Sequence, residues 1–125
     1  MEKDYSHIAD QVAAGFALMR EATPDAAKAF GALGMAATAS RALETRTKEL
    51  MALAIGIATH CEGCVAYHTR AAWKQGASRQ EIAETVALAV YMGGGPAAVY
   101  GGDALRAFDA FARDAGVPAA PGTVA

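Results

Sequence analysis

Residues 44–68, ETRTKELMALAIGIATHCEGCVAYH, contain the pattern of two helices joined by a tight connection. Apolar residues recur there at helical spacing, and no run of alternating β-branched residues indicates a strand. One helix is expected from about Glu44 to Thr59, and a second is expected to begin near Cys61. Because their connection is short, the two helices should be antiparallel neighbours. The side chains expected to be buried in the first of them are Leu50, Met51, Ala54, Ile55 and Ala58.

The rest of the chain has the same helical period, so the sequence predicts an all-α fold, a compact bundle of about six helices. Capping signals and glycine breaks set the expected limits of the other helices. The first helix is expected at about Ser6–Arg20, and the second from Thr23-Pro24 to near Gly34–Ser40. The fourth is expected from near Cys61 to Gly76, the fifth from the capping box Ser78–Glu81 to the break at Gly93–Pro96, and the sixth at about Pro96–Asp114. The first helix should place Ile8, Val12, Phe16 and Met19 on one apolar stripe.

The 125 residues fit a single domain spanning 1–125, with its core at about 42–111 and a loose tail at about 116–125. Hydrophobic residues make up 54% of the chain, and alanine is the commonest of them. Such alanine- and glycine-rich helices with exposed apolar positions suit a bundle that completes its core by forming a homo-oligomer.

Charge and hydropathy exclude several classes of partner. The net charge is -2, with 11 basic and 13 acidic residues and no block of like charge, so we expect no nucleic-acid partner. The longest uncharged run, Thr85–Gly102, is interrupted by Gly93–Pro96, so we expect no membrane span. The charged N-terminus lacks the features of a signal peptide, which predicts a cytoplasmic protein. In that reducing compartment a Cys-x-x-Cys pair is more often catalytic or metal-binding than a static bridge.

Four residues of the helical pair form the candidate site. On a helix beginning near Cys61, both Cys64 and His68 lie on the same face as Cys61. Counted back from the connection, Glu49 lies about as far along its helix as His68 does along the next, so the two should face each other. A carboxylate fixes the tautomer of an imidazole, which can then exchange a proton with a sulfur. Orphan N–H groups and the helix dipole favour a thiolate in the first turn, and they favour Cys61 most.

Other interpretations of these residues remain open. Two thiolates, His68 and Glu49 would supply four zinc ligands, although a second Cys-x-x-Cys is missing. The two cysteines could instead be small buried hydrophobes, or the pair could serve a redox sensor without catalytic turnover.

The pattern Glu49-(x)11-Cys61-x-x-Cys64-x-x-x-His68, within Thr47–Ala54 and followed by Gly76–Ile82, resembles the carboxymuconolactone decarboxylase-like superfamily, specifically its alkylhydroperoxidase D-like branch. The resemblance covers about Ala42–Phe111. It implies an all-helical fold assembled as trimers or hexamers, and a thiol-dependent hydroperoxide reductase without a bound cofactor. Cys64 would attack the peroxide, Cys61 would donate a proton and then resolve the sulfenic acid, and Glu49 and His68 would form the proton relay. The partners would be a hydroperoxide substrate and an external dithiol, a lipoyl-type or thioredoxin-like protein.

One position departs from that resemblance. The well-known peroxidase members carry a histidine immediately before the second cysteine, where this chain has Gly63. His60, directly before Cys61, is a candidate substitute, and the departure predicts weak to moderate peroxidase activity. The alternative within the superfamily is lactone decarboxylation in aromatic catabolism, which would not use a cysteine pair.

Overall fold

A computed structural model describes residues 3–117 and contains six α-helices and no strand within them, which confirms the predicted all-α fold. The helices are α1 Tyr5–Ala22, α2 Pro24–Thr38, α3 Thr45–Ala58, α4 Glu62–Lys74, α5 Arg79–Gly93 and α6 Gly95–Asp114. The predicted loose tail lies mostly outside the described residues.

The helix ends follow the capping chemistry in the sequence. At the start of α5 the Ser78 hydroxyl accepts the N–H of Glu81 at 3.1 Å, and the Glu81 carboxylate accepts the N–H of Ser78 at 2.9 Å. This is the predicted capping box. The backbone bond from Ser78 holds the pKa of Glu81 below its usual value. Gly94, between α5 and α6, has a φ of 76°, a left-handed conformation that glycine adopts without steric cost.

Helices α3 to α6 enclose most of the core. Helix α3 packs on α4 and α5, α6 packs on α4 and α5, and α1 lies against α4 and α6. Eight of the fourteen buried hydrophobic residues described are alanine, so the helices approach one another closely. At the end of α5, a Cβ on Gly93 would lie 2.8 Å from the Cβ of Ala97. The predicted break between α5 and α6 therefore also permits their close packing.

The predicted inward face of α3 is wrong at two positions. Met51 and Ile55 are 50% and 63% exposed, whereas the buried residues of this helix are Glu49, Leu53, Gly56 and Ile57. Helix α3 is apolar on most of its circumference, so hydropathy alone did not distinguish two adjacent stripes. The face turned toward α4 and α5 is the one that carries Glu49 and Gly56. On α1 the predicted stripe ends early, because Met19 is 47% exposed.

Helix α2 covers little of the core. It contains no buried residue and exposes Phe30, Leu33 and Met35 at 61%, 65% and 78%. It packs mainly on α1, with a small contact to α3. None of the helices in residues 3–117 combines the length and the hydropathy that crossing a bilayer requires.

Candidate functional site

The two cysteines form a disulfide at the start of α4. Cys61 is the N-cap residue, and its Sγ accepts the N–H of Cys64 at 3.2 Å. The Cα atoms lie 5.2 Å apart, within the range usual for a disulfide, and both residues are half-buried. The helix start therefore brings the two sulfurs together at a partly solvent-accessible position, as the spacing predicted.

Gly56 on α3 allows that turn to approach. The N–H of Cys61 donates to the Gly56 carbonyl at 3.0 Å. A Cβ on Gly56 would lie 2.9 Å from the Cβ of Cys64, closer than real Cβ contacts come. Any side chain at this position would push the second cysteine away from α3. Gly56 is not among the residues predicted for the site, although its position in the sequence is a signal: a lone glycine inside a helix, seven residues after Glu49 and so on the same face.

Glu49 and His68 form the predicted pair between α3 and α4. The Oε1 atom of Glu49 lies 2.8 Å from Nδ1 of His68. Glu49 is buried, with a side chain 9% exposed, and the His68 side chain is 25% exposed. Because a carboxylate only accepts, Nδ1 is the donor, which leaves Nε2 for proton exchange. Cys64 precedes His68 by four residues, so the two lie one turn apart on one face of α4.

A chain of aromatic rings from three helices ends at His68. The Tyr67 ring meets the His68 ring edge-on, with centroids 5.1 Å apart. Phe16 of α1 meets Tyr67 edge-on at 6.0 Å, and Phe30 of α2 lies 6.3 Å from Phe16. The imidazole is thus linked through Tyr67 to α1, and through Phe16 to α2.

A charged cluster lies beside the cysteines. Glu62, between the two cysteines in sequence, pairs with Lys3 at 2.6 Å, and Lys3 also reaches Asp103 at 3.5 Å. The hydrogen bond with Glu62 is the main cause that raises the pKa of Lys3. Arg106 pairs with Asp103 at 2.9 Å. Lys3 therefore offsets the charge of the Glu62 carboxylate in the first turn of α4. This contact is not predictable from a local pattern, because Lys3 lies far from Glu62 along the chain.

Gly63 and His60 are the two remaining positions at which the sequence was compared with the peroxidase members. A Cβ on Gly63 would lie 3.0 Å from Cγ2 of Val12, so α1 covers the position where the peroxidase members carry a histidine. His60 is exposed and stacks on Tyr100 of α6, with centroids 5.4 Å apart and ring planes 10° apart. The structure records no contact between His60 and the Glu49–His68 pair. The backbone of His60 has a φ of 58°, which costs a non-glycine residue on the order of 1 kcal/mol.

The zinc interpretation has no geometric support. Within the described part of the chain, no group of three or more histidine, cysteine, aspartate or glutamate side chains is arranged to hold a metal ion. The two sulfurs are bonded to each other, and Glu49 is engaged by His68. The arrangement instead suits chemistry at sulfur with proton exchange at His68.

The chain is similar to a known family and to several known proteins. The family model described as the carboxymuconolactone decarboxylase family matches residues 24–110. An uncharacterized protein of Cupriavidus necator is 40% identical over 95 residues, which are 76% of this chain and 84% of that protein. Uncharacterized protein 4 in the cox locus of Paracoccus denitrificans is 36% identical over 81 residues, 65% of this chain and 73% of that protein.

A solved structure extends the likeness to three dimensions. The crystal structure of an apo carboxymuconolactone decarboxylase family protein from Legionella pneumophila superposes with a TM-score of 0.84 at 40% identity, covering 88% of this chain and 98% of that one. The alkylhydroperoxidase D-like branch is consistent with the cysteine pair beside Glu49 and His68. From the matched residues and the shared fold, the chain belongs to the carboxymuconolactone decarboxylase family.

Proposed function

We propose that the chain is a thiol-dependent hydroperoxide reductase whose reactive groups are Cys61, Cys64, His68 and Glu49. The observation that carries the proposal is the disulfide at the start of α4, one turn from a histidine bonded to a buried carboxylate. Family membership is compatible with an enzyme, and the cysteine pair favours redox chemistry over lactone decarboxylation.

In the first step the Cys64 thiolate attacks one oxygen of the peroxide. The O–O bond breaks, Cys64 becomes a sulfenic acid, and the leaving oxygen takes a proton to depart as alcohol or water. Through its Nε2, His68 supplies that proton or relays it, while Glu49 holds the ring through Nδ1. Cys64 is assigned this role because it shares the α4 face with His68, one turn away.

In the second step the sulfur of Cys61 attacks the sulfenic sulfur of Cys64. A disulfide forms, and the departing hydroxyl takes a proton from His68 or from solvent and leaves as water. The attacking species is a thiolate, and the N–H of Cys64, which donates to the Cys61 Sγ, supports that charge together with the N-terminus of α4. An external dithiol then reduces the disulfide by exchange and becomes a disulfide itself. The substrate and the dithiol reductant, a lipoyl-type or thioredoxin-like protein, belong to this proposal, as does a reducing cytoplasmic location.

We further propose that the protein works as a homo-oligomer, a trimer or a hexamer. An isolated fifteen-residue helix is marginal in water, and α2 buries none of its residues in the single chain. Exposed Phe30, Leu33 and Met35 would be covered in an assembly. Sedimentation velocity should give the mass of a trimer or hexamer at micromolar concentration, and a monomer would contradict this.

The order of the two thiols is tested by trapping the intermediate. In Cys61→Ser the resolving sulfur is absent, while serine retains an N-cap oxygen for the N–H of Cys64. After one equivalent of hydroperoxide, a sulfenic-acid-specific label should appear on Cys64 in stoichiometric amount by mass spectrometry. The matched variant Cys64→Ser should remain unlabelled. Labelling of Cys61 in that variant, with none on Cys64 in the first, would reverse the assignment.

A further inference from the structure

The turn between α3 and α4 contains an unusual residue. Among residues 3–117, His60 is the one non-glycine residue with a positive φ, at 58°. Three other positions in this part of the chain take a positive φ, and glycine occupies each of them: Gly76, Gly94 and Gly116. All three lie just after a helix, as His60 does. Among the helix ends in residues 3–117 that are followed by a residue with positive φ, only the end of α3, just before Cys61, has histidine and not glycine there.

The backbone of this turn does not require histidine. The N–H of Cys61 bonds to the Gly56 carbonyl at 3.0 Å, and the N–H of His60 bonds to the Ile57 carbonyl at 3.2 Å. This pair of bonds is the Schellman motif, which glycine favours. The same pair closes α4, where Ala77 bonds to Ala72 and Gly76 bonds to Trp73, both at 3.0 Å. The glycine there shows that the turn forms without a side chain at the left-handed position.

The histidine side chain makes a contact that glycine would lack. Its ring lies nearly parallel to the ring of Tyr100, with planes 10° and centroids 5.4 Å apart. Tyr100 belongs to α6 and is half-buried against the core. The stack therefore ties the turn to a third helix, immediately before the residue whose sulfur caps α4.

We propose that the His60–Tyr100 stack is a positioning device for the Cys61–Cys64 pair. Cys61 is the N-cap of α4: its carbonyl accepts the N–H of Val65 at 2.9 Å, while its own N–H bonds back to Gly56 in the turn. Its place relative to Cys64 therefore depends on the turn as well as on the helix. In the reduced protein no covalent bond holds the two sulfurs together. A turn fixed against α6 keeps the Cys61 thiol close to Cys64, which raises the effective concentration of one thiol at the other. This favours the disulfide over the dithiol.

The inference builds on the proposed redox role of the pair, but its test does not need peroxide turnover. The whole protein is equilibrated in buffers of reduced and oxidised dithiothreitol. The protein dithiol loses two electrons and two protons to the cyclic reagent disulfide, which becomes the reagent dithiol. Alkylation of free thiols followed by mass spectrometry gives the equilibrium constant for wild type and variants.

Variants that lose one ring should lower this constant about fivefold, which corresponds to about 20 mV. These are His60→Asn and Tyr100→Leu. The double variant should be no worse than either single one, because the two rings act as a pair. The ring-preserving control Tyr100→Phe should stay within twofold of wild type. Asparagine adopts the left-handed region readily, so His60→Asn should keep the wild-type melting temperature while its equilibrium constant falls.

Two results would overturn the inference. One is an equilibrium constant within twofold of wild type for both His60→Asn and Tyr100→Leu. The other is additive losses in the double variant. If wild type does not consume peroxide catalytically, the proposed enzyme activity is wrong, but the change in the dithiol–disulfide equilibrium constant between wild type and variants can still be measured. If wild type turns over and the constants are unchanged, only the positioning role fails.

Discussion

Replacing Gly56 with alanine tests how closely α3 must approach the cysteines. The added methyl carbon would lie 2.9 Å from the Cβ of Cys64, and the next atoms are backbone atoms of residues 64 and 65 at 3.5 and 3.6 Å. Optimal carbon–carbon separation is about 3.5–4.0 Å. No flexible side-chain end is available to move aside, so the start of α4 must shift from α3 by about 0.5 Å.

The expected effect on stability is small. Overpacking of this kind costs about 1–3 kcal/mol. Alanine in a helix interior is better than glycine by about 0.8–1.0 kcal/mol, which offsets part of that cost. The free energy of unfolding should therefore fall by about 0–2 kcal/mol. The Gly56→Ala protein should fold, and its melting curve should remain cooperative.

The expected effect on activity is larger. The Gly56 carbonyl still holds the N–H of Cys61, while the new methyl group displaces Cys64, so the geometry between the two sulfurs changes. A misplacement of about 1 Å can cost a hundredfold in rate, so a shift of half that size should cost about tenfold in kcat/KM for peroxide. The assay is stopped-flow peroxide consumption by prereduced protein, with reductant in excess.

Gly93→Ala is the matched control for Gly56→Ala. Its new Cβ would lie 2.8 Å from the Cβ of Ala97, an equally tight contact placed between α5 and α6. This control should lose stability and keep its kcat/KM. If Gly56→Ala is as active as Gly93→Ala, the close approach of α3 does not position the cysteines and the reasoning is refuted.

Three further predictions concern the proton relay and the caps. Glu49→Gln removes the charge beside His68 and should lower kcat/KM for peroxide about a hundredfold. The control Glu84→Gln, at an exposed position, should not change it, and equal kcat/KM values for the two variants would contradict the proton relay. Ser78→Ala removes the side-chain cap of α5 and should lower the free energy of unfolding by about 1 kcal/mol and the melting temperature by about 4 °C, with unchanged activity. An unchanged melting temperature would show that the cap does not stabilise the protein. The pKa of Glu81 is lower in the folded protein, so on acidification the unfolded chain takes up the proton first. Ionised Glu81 therefore adds to the free energy of unfolding above about pH 4.3, and this stabilisation is lost as pH falls through the lower pKa of the folded protein. Urea midpoints of wild type and Glu81→Gln should therefore converge with acidification below about pH 4.3, and a constant difference would be the wrong result.

Much of the fold was predictable because its signals are local. The Ser78–Glu81 capping box needs only the spacing of two residues, and the structure contains both of its bonds. The Glu49–His68 contact followed from counting along two antiparallel helices from a short turn, and the atoms lie 2.8 Å apart. Periodicity and a turn together determine such pairs without knowledge of the other helices.

The rest depends on contacts that no local pattern encodes. Met51 and Ile55 were expected to be buried because α3 is apolar on most sides, and only the positions of α4 and α5 select its inner face. Lys3 and Glu62 meet because α1 lies against α4, which their separation in sequence does not indicate. The stack of His60 on Tyr100 similarly joins a turn to a distant helix.

Catalytic consumption of peroxide is the direct test of the proposed hydroperoxide reductase activity. Metal-free, prereduced protein is supplied with dihydrolipoamide and hydroperoxide, and peroxide loss is followed beside the Cys64→Ser variant. A dithiol peroxidase should give many turnovers for wild type and none above background for the variant. A single stoichiometric oxidation of wild type, or full turnover by Cys64→Ser, would contradict it.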